Sequence, residues 1–525
     1  MISLSQFPGR LLMKDFFHRI FYPIIQLEDI RPVAALLAVL TLFIAVNTQN
    51  PLNNDGILYL QAAEAFAKSG WKAAMQIYRW PFYSVLIVWL GKLTNLSFEH
   101  AAYVLNAALL VIIVTTFITL VKELGGSRTV QLFGAILIIS HPRLHHYQNY
   151  IIRGFGYWGF SLLSLLYLIR YYRQLLWRHA IGWGIFINIA TLFRPEGAVL
   201  CCLTPLVLLL RANSGLWSRI GCTLKPYAIN ILMSIILFVL WFSMPDSSSV
   251  HLGRLSEILN QFQNGLTLLI NNLDSKAVLI SQIVFNAPSE KWGLTMIISG
   301  LIGLCFYRLV TTLGPLQTLL CGHAISKKLM PKDDGAKRVL VYFTLLNLLI
   351  PAIHIGQTFE VFSHRFFMLA SLLLLLWPPF SLHRFFQQWR DRKKVLTGNS
   401  LLFFSVSLVF IIMFVYVFIP AKPTKAYVVS AGTWLKQNMP QQASLYSNTE
   451  QIPFYAQRQL ILWDAFDDTP LPKLKPNDFI ALRVKRKNQA KFAELLTQLK
   501  FKTVKVFANK RGDRVVILQV SEINS

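Results

Sequence analysis

Residues 47–95 read NTQNPLNNDGILYLQAAEAFAKSGWKAAMQIYRWPFYSVLIVWLGKLTN. Ile57, Leu60, Ala63 and Ala67 recur at helical spacing over 57–68 and leave a polar opposite face, and Gly70 ends the stretch. Trp71, Trp80 and Trp89 suit the boundary between hydrocarbon and water. An apolar block at 31–47 precedes the segment and another at 98–121 follows it. The segment therefore reads as a long loop lying on a membrane surface between two spans.

The composition extends that reading to the whole chain. Of 525 residues, 54% are apolar and only 14% charged, with a mean hydropathy of +0.48. A soluble domain carries about 25% charged residues. The apolar residues fall in blocks of roughly the length that crosses a ~30 Å hydrocarbon core. About eleven such spans are read, at 31–47, 98–121, 129–141, 154–172, 179–193, 197–211, 226–244, 292–311, 338–355, 364–380 and 400–420.

The formal charge is +27, from 51 Lys and Arg against 24 Asp and Glu. A nucleic-acid partner would call for a basic stripe on a soluble domain, and none is read. The excess instead sits in short loops between apolar blocks. Lys122 and Arg128 form one set, Arg170, Arg173 and Arg178 another, then Arg211, Arg219 and Lys225. Lys327, Lys328, Lys332, Lys337 and Arg338 follow, and last Arg384, Arg390, Arg392, Lys393 and Lys394. By the positive-inside rule these loops are cytoplasmic. The N-terminus is then inside, and loops 48–97 and 245–291 are outside with everything after Pro420. No cleavable signal peptide is read, and residues 11–27 suit an interfacial helix.

Past residue 420 the pattern changes. Residues 427–438 and 487–500 have helical spacing, and 443–448, 479–484, 503–508 and 514–520 read as strands. The fold class expected is therefore mainly α: a polytopic transmembrane bundle over 1–420 with a small periplasmic α/β domain at 421–525. Cys201, Cys202, Cys222, Cys305 and Cys321 have no metal or redox spacing and read as small core residues.

Polar residues at span ends are the places where chemistry can occur. Asp55, in Asn53-Asn54-Asp55-Gly56, stands at a span exit before an amphipathic helix. It could take a proton from a hydroxyl, or simply cap the helix. Arg194-Pro195-Glu196-Gly197 lies between two spans on the outer side. Its arginine suits a phosphate oxygen, while the plain alternative is a tight turn with a local ion pair. His364-Arg365-Phe366, with Glu360 nearby, opens a late span; Arg365 either reaches headgroups or binds a lipid phosphate. His141 and His145 are four apart, but Pro142 spoils a shared helix face, and no metal site is assigned there. Asp464, Asp467 and Asp468 read as a solvated acidic loop.

Together these pieces resemble the membrane glycosyltransferases of the C-type fold, in the bacterial branch related to protein mannosyltransferases and lipid A aminoarabinose transferases. DGILYLQAAEAFAKSG (55–70) and RWPFYSVLIVWLGKL (79–93) look like that family's first outer loop. RPEG (194–197), HRFFMLASLLLLLWPP (364–379) and TWLKQNMPQQASLYSNTEQIPFYAQRQ (433–459) resemble its later segments. The resemblance implies sugar transfer at the periplasmic face of a bacterial inner membrane. The donor would be a polyprenyl-phosphate sugar and the acceptor a glycan, lipid or protein. It implies Asp55 as the catalytic residue, with Arg194, Glu196, Arg365, Glu64 and Arg79 binding substrate. Many members carry two adjacent acids in this loop, where Gly56 follows Asp55 here, and the second outer loop lacks an acid around Arg153. A divalent cation as cofactor stays open. A flippase for lipid-linked glycans and a degenerate membrane scaffold are the readings from other classes.

Overall fold

The computed structural model describes residues 28–48, 50–211, 215–242, 254–331, 333–360, 363–391, 398–419, 425–466, 470, 472, 474–498 and 501–520. The interfacial helix expected over 11–27 lies outside the described residues, as do Lys332, Arg392, Lys393, Lys394, Asp467 and Asp468. The described residues form two compact units. One lies within Met1–Leu42, Ala101–Gln148 and Arg153–Ile419, the other within Phe43–His100, Asn149–Ile152 and Pro420–Ser525.

The first unit is helical. Phe98–Glu123, Ala287–Leu313, Asp334–Thr358 and Met368–Arg390 are long and apolar enough to cross a membrane. Several other expected spans are short or interrupted helices. Residues 197–211 form an α-helix, Gly197–Leu203, followed by a 3-10 segment, Thr204–Leu210, because Pro205 withholds a backbone donor. The last of the four long segments is itself interrupted: a 3-10 turn, His364–Phe366, leads into Met368–Leu374, and a second helix starts at Pro378. Exposed Leu232, Ile235 and Ile236 on the helix Leu216–Phe242 suit hydrocarbon better than water.

The stretch 245–291, expected as an outer loop, contains the 31-residue helix Arg254–Val284. Apolar and polar residues alternate around that helix, so no continuous apolar block announces it. The side chain of Gln357 donates to the Gly265 carbonyl at 3.0 Å and ties this helix to Asp334–Thr358.

At the basic-loop end of the bundle, one carboxylate organises three helices. Glu123 accepts from Arg170 at 2.6 Å and from Arg173 at 2.8 Å, and Arg173 also pairs with Asp333. Asp333 in turn caps Asp334–Thr358 by accepting the Ala336 N–H at 3.0 Å. Burial alone would raise the Asp333 pKa, but the Ala336 N–H and Arg173 outweigh it and hold the carboxyl below its usual range.

The second unit joins the first-loop helices to the sheet of the tail. The helix Asn54–Ile77 is broken at Gly70, whose φ of 76° lies in the left-handed region, so the amphipathic segment ends where the sequence places its end. The ring of Tyr59 meets Tyr78 and Tyr83 edge-on, with centroids 5.2 and 5.3 Å apart, and so anchors that helix to Phe82–Thr94.

The tail strands are β1 (Leu445–Ser447), β2 (Ile461–Leu462), β3 (Phe479–Val484), β4 (Phe501–Ala508) and β5 (Arg514–Val520). They form one sheet in the order β2-β1-β3-β5-β4. β1 is parallel to β2 and β3, whereas β5 is antiparallel to β3 and β4. Alternation divides β3 between two cores. Phe479 and Ala481 pack with Val428, Ala431 and Leu435 of the helix Ala426–Asn438. Ile480 and Leu482 pack with Phe492 of the helix Gln489–Gln498. Both faces are thus buried, which explains why β3 reads as a nearly continuous apolar run.

Candidate active site

In the helical unit, the helices Gly154–Gln174 and Trp177–Phe193 pack closely enough that a Cβ on Gly156 would run into the Phe193 ring. Arg153 donates from Nη1 to the Phe193 carbonyl at 3.2 Å. The next residue, Arg194, ends the helix in extended backbone and then turns: the Gly197 N–H bonds the Arg194 carbonyl at 3.0 Å. Gly197 is required there, since a Cβ would lie 2.8 Å from the backbone N of Thr191.

Arg194 is 6% exposed. Its Nε donates to Glu196 Oε2 at 3.3 Å, and its Nη2 pairs with Oε1 of the same carboxylate. The guanidinium lies 4.6 Å from the Phe366 ring centroid and 5.4 Å from that of Tyr157. Arg365 lies over the same Phe366 ring at 5.5 Å. Phe366 therefore brings together two arginines that the sequence separates by 171 positions (365 − 194), both on an aromatic face that suits a delocalised cation. Burial pushes the Glu196 carboxyl upward, but Arg194, with help from Arg153, outweighs it and holds the pKa at about 2. The tight turn with a local ion pair is present, and it is packed among further cations.

The histidine-rich stretch is accounted for by ordinary contacts. His141 caps the short helix Pro142–Tyr147 by accepting the Leu144 N–H at 3.2 Å, and its Nε2 meets Ser371 Oγ at 3.1 Å. His145 Nδ1 pairs with Gln148 Oε1 at 2.9 Å. Among the described residues, no three His, Cys, Asp or Glu side chains come together as a metal ligand set.

In the second unit, Asp55 is not the helix cap. Asn53 occupies that position, and Asp55 sits in the first turn, where the helix dipole favours a carboxylate. Asn53 does not cap through its side chain either. Its amide instead exchanges hydrogen bonds with the Ile151 backbone, at 3.1 and 2.9 Å. Leu52 is fixed from the tail: its N–H donates to Tyr455 Oη at 2.9 Å, and its carbonyl accepts from Gln451 at 2.7 Å. Asp55 thus starts from an anchored backbone. A Cβ on Gly56 would lie 2.9 Å from Asn53 Oδ1 and 3.1 Å from Ile151 Cβ, which accounts for glycine after Asp55. Glu64 and Arg79 are exposed, on the helix and just after it.

Tyr157 beside Arg194, and Tyr455 and Gln451 beside Leu52, carry no local sequence signal, and the motif that contains Phe366 does not announce its contact with Arg194. Their contacts join segments from tens to hundreds of positions apart, and no periodicity reports such a pairing.

No family model matches this sequence, and no curated protein does. Solved structures do. The chain is similar to ArnT from Cupriavidus metallidurans bound to undecaprenyl phosphate, with a TM-score of 0.53 at 12% identity, covering 92% of this chain and 97% of that one. It is also similar to the oligosaccharyltransferase AglB from Archaeoglobus fulgidus, solved with an inhibitory peptide and a dolichol-phosphate. There the TM-score is 0.53 at 11% identity, covering 85% of this chain and 64% of that one. The same archaeal enzyme solved with zinc and sulfate gives a TM-score of 0.52 at 11% identity, covering 82% of this chain and 62% of that one. The chain spans less than two thirds of the archaeal enzyme's length.

Proposed function

On the premise that this chain is a membrane protein with the C-type glycosyltransferase fold, we propose that it transfers a sugar from a polyprenyl-phosphate donor to an envelope acceptor. A fold alone does not assign a reaction. The observation that carries the reading is the pair Arg194 and Arg365 on the Phe366 ring, in a fold whose solved members were captured with undecaprenyl phosphate and dolichol-phosphate.

The reaction assigns each group a task. The acceptor hydroxyl oxygen attacks the anomeric carbon, and the bond from that carbon to the phosphate oxygen breaks. The lipid phosphate leaves with the electron pair, and Asp55 takes the hydroxyl proton as general base. Arg194 and Arg365 hold the phosphate and stabilise the charge it gains. Glu196 keeps the Arg194 fork in place, and Glu64 and Arg79 flank the acceptor. The face of the membrane on which the reaction runs is the periplasmic one, from the distribution of basic loops.

The test is donor turnover. Purified protein in lipid nanodiscs is given a radiolabelled polyprenyl-phosphate sugar and an envelope extract. Label moving into the extract, with release of polyprenyl phosphate, supports the proposal. Retention of all label on the lipid across a panel of sugars and extracts contradicts it.

A further inference from the structure

The carboxyl ends of β1, β2 and β3 open into a cavity of about 590 Å³. The three strands are parallel neighbours, and each supplies the residues that follow it. Asn448 and Thr449 come after β1, Asp464 after β2, and Lys485, Lys487 and Asn488 after β3. In open α/β sheets ligands bind at this edge, where the loops leaving parallel strands diverge. The volume falls within the roughly 300–1,000 Å³ of small-ligand pockets.

The lining is cationic. Among the described residues, Lys425, Arg483, Lys485, Lys487 and Lys491 line it together with one carboxylate, Asp464. Two of the cations are held in place: Arg483 Nε donates to Tyr427 Oη at 3.2 Å, and Lys491 Nζ to the Phe466 carbonyl at 3.0 Å. Among the described residues, Lys425, Lys485 and Lys487 make no ion pair. Partial desolvation, with Arg483 and Lys485 close by, holds the Lys425 ammonium below its usual range. The rest of the lining is hydroxyl-binding in character. Gln451 is 6% exposed, donates to Leu52, and leaves Oε1 with no donor. Asn54, the residue before Asp55, borders the same space.

We propose that this cavity binds an anionic sugar, a glycan residue bearing a phosphate or carboxylate group, and that it is the recognition subsite for the acceptor. The word acceptor rests on the transferase reading; the ligand chemistry rests on the cavity alone. Lysines meet the anionic group, and the amides and Thr449 meet ring hydroxyls.

Calorimetry on the full chain in nanodiscs tests this without a donor. The probes are a phosphorylated disaccharide, a uronate disaccharide, the neutral disaccharide and inorganic phosphate. Both anionic sugars bind and weaken as salt rises, and the neutral sugar and free phosphate bind at least about tenfold more weakly. Lys485 and Lys487 are exposed, so replacing both by Ala leaves the melting curve unchanged while weakening the anionic sugars at least about tenfold, and the double Arg variant restores them. Equal affinity for the neutral sugar, or unchanged affinity in the double Ala variant, overturns the proposal. Affinity for inorganic phosphate equal to that for the sugar phosphate overturns the sugar part. Tight anionic-sugar binding in a protein that transfers nothing would contradict the transferase reading and leave the cavity standing. Transfer without such binding would do the reverse.

Discussion

Asn53 and Ile151 are paired amide to backbone: Asn53 Nδ2 donates to the Ile151 carbonyl at 3.1 Å, and the Ile151 N–H donates to Asn53 Oδ1 at 2.9 Å. A side chain that would ordinarily cap its own helix thus serves to fix the helix start to another loop. Replacing Asn53 by Ala removes both bonds and leaves the Ile151 groups in want of partners, at a cost of about 1–3 kcal/mol. Asn53→Asp keeps the acceptor and loses the donor, so its denaturant midpoint lies between Ala and the wild type. An Asn53→Ala midpoint equal to that of the wild type would show that water replaces the pair at no cost.

Gly56 presses on the same pair. Restoring an acid at this position, Gly56→Asp, places a Cβ against Asn53 Oδ1 and Ile151 Cβ. We expect the variant to lower stability and transfer together, as overpacking does at about 1–3 kcal/mol. Gained activity in Gly56→Asp would mean that the loop has room to relax and that the second acid is simply missing.

Arg194 offers a test of geometry against charge. Lysine keeps the charge and loses both the fork to Glu196 and the planar contact with Phe366. Donor binding, measured by competition with polyprenyl phosphate, weakens in Arg194→Lys and more so in Arg194→Ala. If Arg194→Ala and Arg365→Ala both bind donor as the wild type does, the phosphate role is wrong, and Arg194 is a structural partner of Glu196.

The Glu196 carboxyl sets an acid limit. Its pKa falls from an unfolded value near 4.5 to about 2 in the folded protein. The stability it contributes is therefore fully present above about pH 4.5 and is lost as pH falls toward 2. Thermal melting between pH 5 and 2 should show this loss in the wild type and a flatter dependence in Glu196→Gln. Parallel curves for the two proteins would count against the Arg194 pair as the cause.

How far the fold was legible follows from the same contacts. Continuous apolar runs such as 98–121 are visible because hydrocarbon demands them, and the strand at 479–484 is visible because both its faces are buried. The helix Arg254–Val284 was not, since its apolar residues are interleaved with Asn, Gln and Ser. At the site, the types and positions of Asp55, Arg194 and Arg365 could be read as residues at span ends. That Phe366 gathers two arginines, and that Tyr455 and Gln451 secure Leu52, depends on tertiary pairing across long sequence separations. Asp55 lies two positions inside the cap, because Asn53 opens the helix earlier while spending its amide elsewhere.

In the proposed reaction Asp55 takes the acceptor proton, and the Asp55→Asn variant isolates that role. Asparagine is nearly the same size and loses the interaction of a charge with the helix start, worth about 0.3–1 kcal/mol, and the melting temperature shows directly whether the variant folds. The measurement is transfer of radiolabelled sugar from a polyprenyl-phosphate donor in nanodiscs, with donor binding and melting temperature taken on the same preparation. Near-normal melting, retained donor binding and transfer lowered at least ~10²-fold, the scale of losing a general base, are expected. Near-normal transfer by well-folded Asp55→Asn protein would contradict that role for Asp55.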